Sequence, residues 1–334
     1  WIFTQLICRF RRTGNAPAPG TKKDRWTAFA WSPIQITHQM SGGRMTKTNA
    51  VLLILLGGTF MSFVGLIMRL ITEAGGFQIL AYRSISLAAV VATVACLKRR
   101  SGFIDLLKTL DLHDVAMGAA LSIAFMTYVF AMLTTSVAST LFILTSTPFL
   151  SAIIGWIWIG ERPRLVTWLA IIAGTFGVAL MIKDGIDLGR NLGNMLALVS
   201  AVMFALMLVL ARRSQKTDVL GGTFLGGVFA GLLGFTLALA TGEGLLVSGH
   251  DLALTLFMGA FTIGIGIALV TIGTPFVPAA EVSLLVLIES VLGPVWVWVF
   301  LNEAMTRSEL TGGAIVLAAV VLLALTSRRA ALRT

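Results

Sequence analysis

Long stretches with at most one charged residue alternate with short polar segments along most of this chain. A transmembrane helix needs about 20 consecutive apolar residues, and the sequence supplies such stretches in series. Their length and continuity predict membrane-spanning α-helices rather than barrel strands. The stretches are 50–68, 77–97, 115–160, 165–182, 191–211, 219–242, 252–280, 282–302 and 310–327.

The stretch 115–160 is too long for a single crossing. It contains no charged residue, and as one helix it would be roughly 70 Å long, more than twice the thickness of the hydrocarbon core. It must therefore fold back, most simply near Thr134-Thr135-Ser136. The pattern then predicts ten membrane spans.

The chain also reads as one module written twice. Glu161 and Glu303 lie 142 residues apart, and each lies between two apolar runs. The first copy occupies 45–183, a polar linker 184–192, and the second copy 193–327. Because an odd number of crossings sends the second copy in from the opposite face, we predict an all-α fold of two inverted five-helix repeats.

Composition agrees with a membrane protein. The mean hydropathy is +0.92, 57% of residues are apolar and only 12% are charged. A soluble domain has roughly 25% charged residues, so this chain has too few to cover a water-facing surface.

The net charge of +10 could indicate nucleic acid binding, but the basic residues are distributed otherwise. Twelve fall on connections of one side and four on the other, if spans alternate. This bias predicts an inner (plasma) membrane protein with both termini cytoplasmic and no nucleic acid partner. The twelve are Lys98, Arg99, Arg100, Lys108, Arg162, Arg164, Arg212, Arg213, Lys216, Arg328, Arg329 and Arg333, and the four are Arg69, Lys183, Arg190 and Arg307.

Both ends of the chain lie outside the apolar series. Residues 1–44 are basic and lack apolar periodicity, and Met45 resembles a genuine start directly before the first span. We expect 1–44 to be disordered or an upstream artefact. Residues 328–334 are expected to form a basic cytoplasmic tail.

Each copy contains a set of characteristic motifs. They are Tyr82-Arg83, Pro148 with Glu161, Trp168 and Gly174 in the first copy, and Pro278 to Val282, Glu289 to Pro294 and Glu303 in the second. These motifs resemble the EamA-type members of the drug/metabolite transporter superfamily, in which each half ends in a proline-containing helix, a Gly-Glu-type turn and a final helix. Two positions depart from the pattern, Ser290 in place of proline and Asn302 in place of glycine. The resemblance implies a ten-helix carrier of small polar or amphipathic metabolites, often moved outward.

Glu289 is a carboxyl group near the middle of the ninth span. A charge there costs on the order of 3 kcal/mol, so the side chain should face a cavity or a partner. It could titrate protons or bind a substrate amine. Alternatively, it is a neutral, hydrogen-bonded acid that packs helices together.

Arg83 in the second span keeps its charge under all conditions. It could bind a substrate carboxylate, form an ion pair with Glu289, or extend to the membrane interface. Tyr128 and the hydroxyl groups of Thr127, Ser62 and Thr59 could line the cavity. For serine and threonine, bonding to the helix backbone is the competing interpretation.

Pro148 and Pro294 lie in apolar spans at nearly corresponding positions of the two copies. Proline removes a backbone hydrogen bond, and we expect both to mark helix breaks that act as hinges or expose backbone to substrate. They could equally be passive kinks. Glu161 and Glu303 are interpreted as structural turn residues.

Enzyme chemistry has little support in the sequence. No Walker A loop, zincin motif or nucleophile elbow is present, and we predict no cofactor and no metal. Transport would then use an ion gradient, with protons as the candidate coupling ion, or the gradient of the small-molecule substrate. The alternatives are a membrane-embedded enzyme acting on lipid-linked substrates, for which only the loop 105–114 qualifies, and a non-transporting membrane partner protein. The oligomeric state is open.

Overall fold

The computed structural model describes residues 46–99, 102–160, 165–187, 190–214, 220–273 and 285–331. Within these ranges all regular secondary structure is helical. The predicted tail 1–44 and Glu161 lie outside the described residues.

The first copy contains α1 Lys47–Ser62, α2 Val64–Leu70, α3 Gly76–Arg99, α4 Phe103–Lys108, α5 Leu112–Thr134, α6 Val137–Leu144, α7 Thr147–Ile159 and α8 Leu165–Asp187. The second contains α9 Asn191–Ser214, α10 Leu220–Ala240, α11 Gly249–Phe257, a π-helical segment Met258–Ile265, α12 Gly266–Gly273, α13 Ile288–Leu301 and α14 Arg307–Ala331.

Seven helical stretches in the described part of the chain are long and apolar enough to cross a membrane. Two further apolar helices, Trp168–Leu180 and Ile288–Leu301, are shorter. The helical membrane fold predicted from the apolar pattern is therefore confirmed, whereas the count of ten spans stays a prediction. The seven are Thr48–Leu70, Gly76–Leu97, Leu112–Thr134, Val137–Trp158, Asn191–Ala211, Leu220–Ala240 and Gly249–Val270.

The long uncharged stretch folds back where expected. Helix α5 ends at Thr134 and α6 begins at Val137. The hydroxyl oxygen of Ser136 accepts a hydrogen bond from the backbone N–H of Ser139 at 3.0 Å, which caps the free amino end of α6. Polar residues that would be costly inside a span thus define its end.

The two prolines differ in their effect on the helices. The chain is interrupted at Thr145–Ser146, and Pro148 lies in the first turn of α7, a position where proline costs no hydrogen bond. The predicted break at Pro294 is corrected, because α13 continues through this residue and the interruption precedes it at Leu287. The neighbouring helices hold the span together despite the one missing hydrogen bond.

The same turn ends the corresponding helix of each copy. Gly160 after α7 and Asn302 after α13 both adopt left-handed backbone, with φ of 80° and 54°. Their N–H groups donate to the carbonyl oxygens of Trp156 and Trp298 at 3.1 and 3.0 Å. The departure from glycine at Asn302 is thereby explained, since asparagine tolerates this conformation better than most residues.

The core lies mainly between the two copies. Helix α3 packs on α10, α6 on α13 and α8 on α14. Other large contacts between the copies come in equivalent pairs. The contact of α5 with α9 corresponds to that of α12 with α1, and the contact of α5 with α10 corresponds to that of the π-helical segment with α3. The contact of α7 with α9 corresponds to that of α13 with α1. By their order along the two copies, the counterparts are α1–α2 and α9, α3 and α10, α5 and the stretch from α11 to α12, α6–α7 and α13, and α8 and α14. If each is exchanged for its counterpart, this set of contacts maps onto itself.

Candidate functional site

Arg83 lies on α3 in the interior of the bundle. Its residue is only 1% exposed, so the prediction that it extends to the interface is wrong. The guanidinium carbon lies 5.2 Å from the ring centre of Phe125 and 5.6 Å from that of Tyr128, both on α5. Aromatic faces attract a cation at this distance, and they hold the head group in place.

The guanidinium group is nevertheless incompletely satisfied. Its Nε and Nη2 atoms are buried and have no hydrogen-bond partner, and no ion pair joins Arg83 to Glu289 within the described part of the chain. A buried charge without such partners is costly. Cation–π contacts alone do not replace the hydrogen bonds that water would supply.

A close approach between the copies places Arg83 here. The π-helical segment packs against α3, and a Cβ atom on Gly259 would lie 2.0 Å from the carbonyl oxygen of Arg83. Only glycine fits at such a contact. The second copy therefore directly adjoins the backbone of the arginine.

Tyr128 and Glu289 extend this region towards α13. Tyr128 is 8% exposed, and Glu289, in the first turn of α13, is near enough to interact with it electrostatically. The structure therefore brings Arg83 and Tyr128 together, and Glu289 interacts electrostatically with the tyrosine. Phe125 completes this group, which we call the central site, and sequence reasoning missed it because an apolar ring in an apolar span carries no signal.

The hydroxyl groups near this region bond to helix backbone, as the competing interpretation predicts. Thr59 donates to the carbonyl oxygen of Leu55 at 2.9 Å, and Thr127 donates to that of Ile123 at 2.9 Å. Ser62 donates to its own helix and also accepts from the indole N–H of Trp296 at 2.8 Å. That last bond joins the two copies.

At one end of the bundle, Glu303 forms an ion pair with Arg69. The carboxylate accepts from Nε at 2.7 Å and Nη2 at 3.2 Å, and also from the backbone N–H of Val137 at 3.1 Å. Arg69 donates further to the carbonyl oxygens of Met132 and Thr135 at 2.5 and 2.7 Å. Glu303 does lie in a turn, and its side chain in addition joins the second copy to the first.

The electrostatics keep this carboxyl group ionised. Burial alone raises the pKa of Glu303, but hydrogen bonds from Arg69 and Val137 and the positive charges of Arg69 and Arg190 outweigh it, so the pKa lies below its ordinary value.

Glu309 is a second carboxylate at this end, and sequence reasoning gave it no role. The residue is 3% exposed and accepts hydrogen bonds from the hydroxyl groups of Ser136 and Ser139. It also accepts from the backbone N–H of Thr306 at 2.7 Å and lies 3.6 Å from Arg190. The signal that could have found it is the Thr306-x-x-Glu309 capping box, confirmed by the return bond from the Glu309 N–H to Thr306.

Acidic residues of the loop 105–114, which the sequence offers as the candidate for enzyme chemistry, have a structural role. Asp111 and Asp114 form the capping box at the start of α5, and His113 lies 3.9 Å from Asp111. Among the described residues, no three histidine, cysteine or acidic side chains are grouped so that they could hold a metal ion.

Comparison with protein families assigns the chain. The profile described as the EamA-like transporter family matches residues 48–183 and again residues 191–325. The chain belongs to the EamA-like transporter family. The two matched stretches are two EamA repeats, which agrees with the duplicated turns at Gly160 and Asn302.

Comparison with solved structures supports the fold but says nothing about function. A solved structure, described only as a crystal structure of a protein, matches this EamA-family chain with a TM-score of 0.61. The match covers 85% of this chain and 100% of the other at 17% identity, so it concerns architecture only. No curated protein sequence matches significantly.

Proposed function

We propose that this EamA-family protein is a secondary-active carrier of the inner membrane that exports small metabolites or drugs. The architecture would be ten spans in two inverted five-helix repeats, which alternate between open states. The observation that carries the proposal is the exchange pattern of helix contacts, in which the largest contacts between the copies each have a counterpart after exchange. A twofold axis that relates the copies produces such a pattern, and an odd number of spans in each copy would place that axis in the membrane plane.

The central site provides the polar groups that a carrier needs between its halves. Arg83 has unused donors and would anchor an anionic group of the substrate. Tyr128, which contacts Arg83, and Glu289 would contact the remainder of the substrate. Glu289 is also the candidate proton-carrying group, because a carboxyl group in a span is expensive to keep charged.

The hinges proposed for this motion are the interruptions found in the structure. The first lies at Thr145–Ser146 before Pro148, and the second at Leu287 before Glu289. Both break a span ahead of a proline, and Pro294 follows within the same helix. Bending at these points would open the central site without unfolding a span.

Growth protection tests the proposal directly. Cells that overexpress the protein would be challenged with toxic amino acids, nucleosides and cationic drugs, and compounds against which it protects would be measured for flux in proteoliposomes. We expect protection against at least one class, lost in Glu289→Gln with normal membrane insertion. Glu73→Gln, which changes an exposed carboxylate, is the matched control.

Two results would count against the proposal. If no compound is transported by the purified wild-type protein, the carrier function fails. If Glu289→Gln retains wild-type flux and pH dependence, Glu289 has no part in the mechanism.

A further inference from the structure

Several contacts at the Arg69 end join residues from different copies. Arg69 lies at the end of α2, whereas Glu303 lies between α13 and α14, 234 positions later. Glu309 at the start of α14 binds Ser136 and Ser139 at the start of α6. Two carboxylates of the second copy are thus held by a cation and a helix amino end of the first, and helix amino ends favour negative charge.

The space behind these contacts is closed. A crevice lined by Val137, Pro294, Val297 and the two glutamates lies at this end. It has no room for a water molecule. As long as the contacts persist, this crevice does not admit a water molecule.

The Arg69–Glu303 pair is suited to repeated opening. Its side chains are 23% and 25% exposed, so water can replace each partner as they separate. A neighbouring contact between the copies differs, since Asp251 is 0% exposed and accepts from the backbone N–H groups of Glu73 and Ala74 at 2.8 Å. Breaking that contact would remove the backbone donors from a buried carboxylate and leave the adjacent His250, at 3.0 Å, as its partner, which is more costly than separating an exposed pair.

We propose that the Arg69–Glu303 ion pair forms the gate that closes this end of the transport path, while the contacts of the buried Glu309 and Asp251 carboxylates persist as pivots. The inference rests on the proposed carrier function, but the experiment that tests it does not require transport activity. Helix α1 begins at Lys47 and runs towards the gate, and α14 begins at the gate and runs to Ala331. Lys47 and Ala331 therefore lie at the end of the bundle opposite the gate. In the proposed topology the gate therefore faces the outside.

The repeat supplies a matched control for the gate. Helices α1 and α9 begin at Lys47 and Asn191. Arg69 follows Lys47 by the same number of residues as Arg213 follows Asn191, so the two arginines occupy equivalent positions of the two copies. Arg213 lies 5.3 Å from the ring centre of Trp158, at the end of the bundle opposite the gate. An arginine in the equivalent place of the other copy can thus be removed without touching the gate.

The test is the accessibility of a single cysteine behind the gate. Ala138, which lines the crevice and is 3% exposed, is replaced by cysteine in a protein whose native Cys8 and Cys96 are changed to serine. A charged, membrane-impermeant maleimide is then applied to intact cells. We expect slow labelling in this parent, because the gate is closed.

Opening the gate should accelerate labelling. We expect Arg69→Gln and Glu303→Gln each to raise the initial rate roughly three- to tenfold, since loss of the pair shifts the population towards the open state. The double variant should label no faster than the faster single variant, because one change already removes the shared interaction. Arg213→Gln should not raise the rate.

The outcomes separate the gate from general damage and from transport. Unchanged rates in both single variants, with wild-type thermal stability, would overturn the gate. Additive rates in the double variant, or equal acceleration by Arg213→Gln, would show nonspecific loosening and overturn it as well. Faster labelling in a protein that transports nothing supports the gate and contradicts the carrier function, so the two failures are distinguishable.

Discussion

The central site and the gate differ in how their buried polar groups are satisfied. Beside the gate, Glu309 is bonded to two hydroxyl groups and a backbone N–H, with Arg190 nearby. At the central site, the more deeply buried Arg83 has two nitrogen atoms without a partner. Satisfied groups hold two elements together, whereas unsatisfied donors in the interior are available to a ligand. Under the proposed function, the central site would bind substrate and the contacts at the gate would hold the copies together.

The largest expected effect follows from replacing Arg83. Arg83→Met should reduce flux of an anionic substrate by more than about tenfold, because a charge-assisted hydrogen bond is lost. The melting temperature should stay the same or rise, since an apolar side chain replaces an incompletely paired buried charge. Flux in proteoliposomes and thermal unfolding in detergent measure the two effects, with exposed Arg213→Met as the control. Wild-type flux would remove Arg83 from the site, and a large loss of stability would show that its burial is structural.

Glu309→Ala should behave in the opposite way. Removing this carboxylate leaves Ser136, Ser139 and Arg190 without their acceptor, and we expect the free energy of unfolding to fall by about 3 kcal/mol. Denaturant unfolding in detergent measures the change. Glu73→Ala, at an exposed position, should stay within about 0.5 kcal/mol of wild type. Equal effects of the two changes would contradict the role of Glu309 as an interior anchor.

The paired turns, at Gly160 and Asn302, test how much stability depends on left-handed backbone. Gly160→Ala should destabilise the protein by about 1 kcal/mol, because alanine is strained at positive φ, and nothing lies within 4 Å of the added methyl group. Asn302→Gly should be neutral or stabilising by less than about 1 kcal/mol for the same reason. Melting temperatures measure both changes. A stabilising Gly160→Ala would mean that the left-handed turn is not formed there.

The smallest effect concerns pH and the partly exposed Arg69–Glu303 pair. Because the pKa of Glu303 is lowered in the folded protein, its contribution is fully present above the unfolded value of about 4.3 and is lost as the pH falls through the folded pKa. The charged groups that face Glu303 are Arg69 and Arg190, and Glu309 is the other acid at this end.

Wild-type protein and Glu303→Gln should therefore differ by a constant amount, at most about 1 kcal/mol, from pH 5 to 8. The difference should shrink below about pH 4. Thermal unfolding of both proteins across this range measures it. A difference that grows on acidification would reverse the sign and contradict the ion pair.

Much of the architecture could be read from the sequence because the membrane imposes simple constraints. Uncharged stretches predicted the helices, and the position of Thr134 to Ser136 predicted the reversal that the structure contains. The duplicated run before Glu161 and Glu303 predicted the two repeats that the family profile matches. Each of these follows from local composition and spacing.

The partners of the polar residues could not be read in this way. Arg69 was counted only as a loop charge, and its partner is 234 positions away. Arg83 has three plausible environments on sequence grounds, and only packing against Phe125, Tyr128 and the π-helical segment shows that it is buried. The break expected at Pro294 is at Leu287 instead, because neighbouring helices compensate for a missing hydrogen bond.

The sequence by itself determined that this chain is a helical membrane protein of duplicated design, because lipid demands apolar spans with internally bonded backbone. Tertiary structure decided which buried charges are paired. Pairing depends on side chains that meet across the two copies, far apart along the chain, and no local pattern of residues encodes such a meeting.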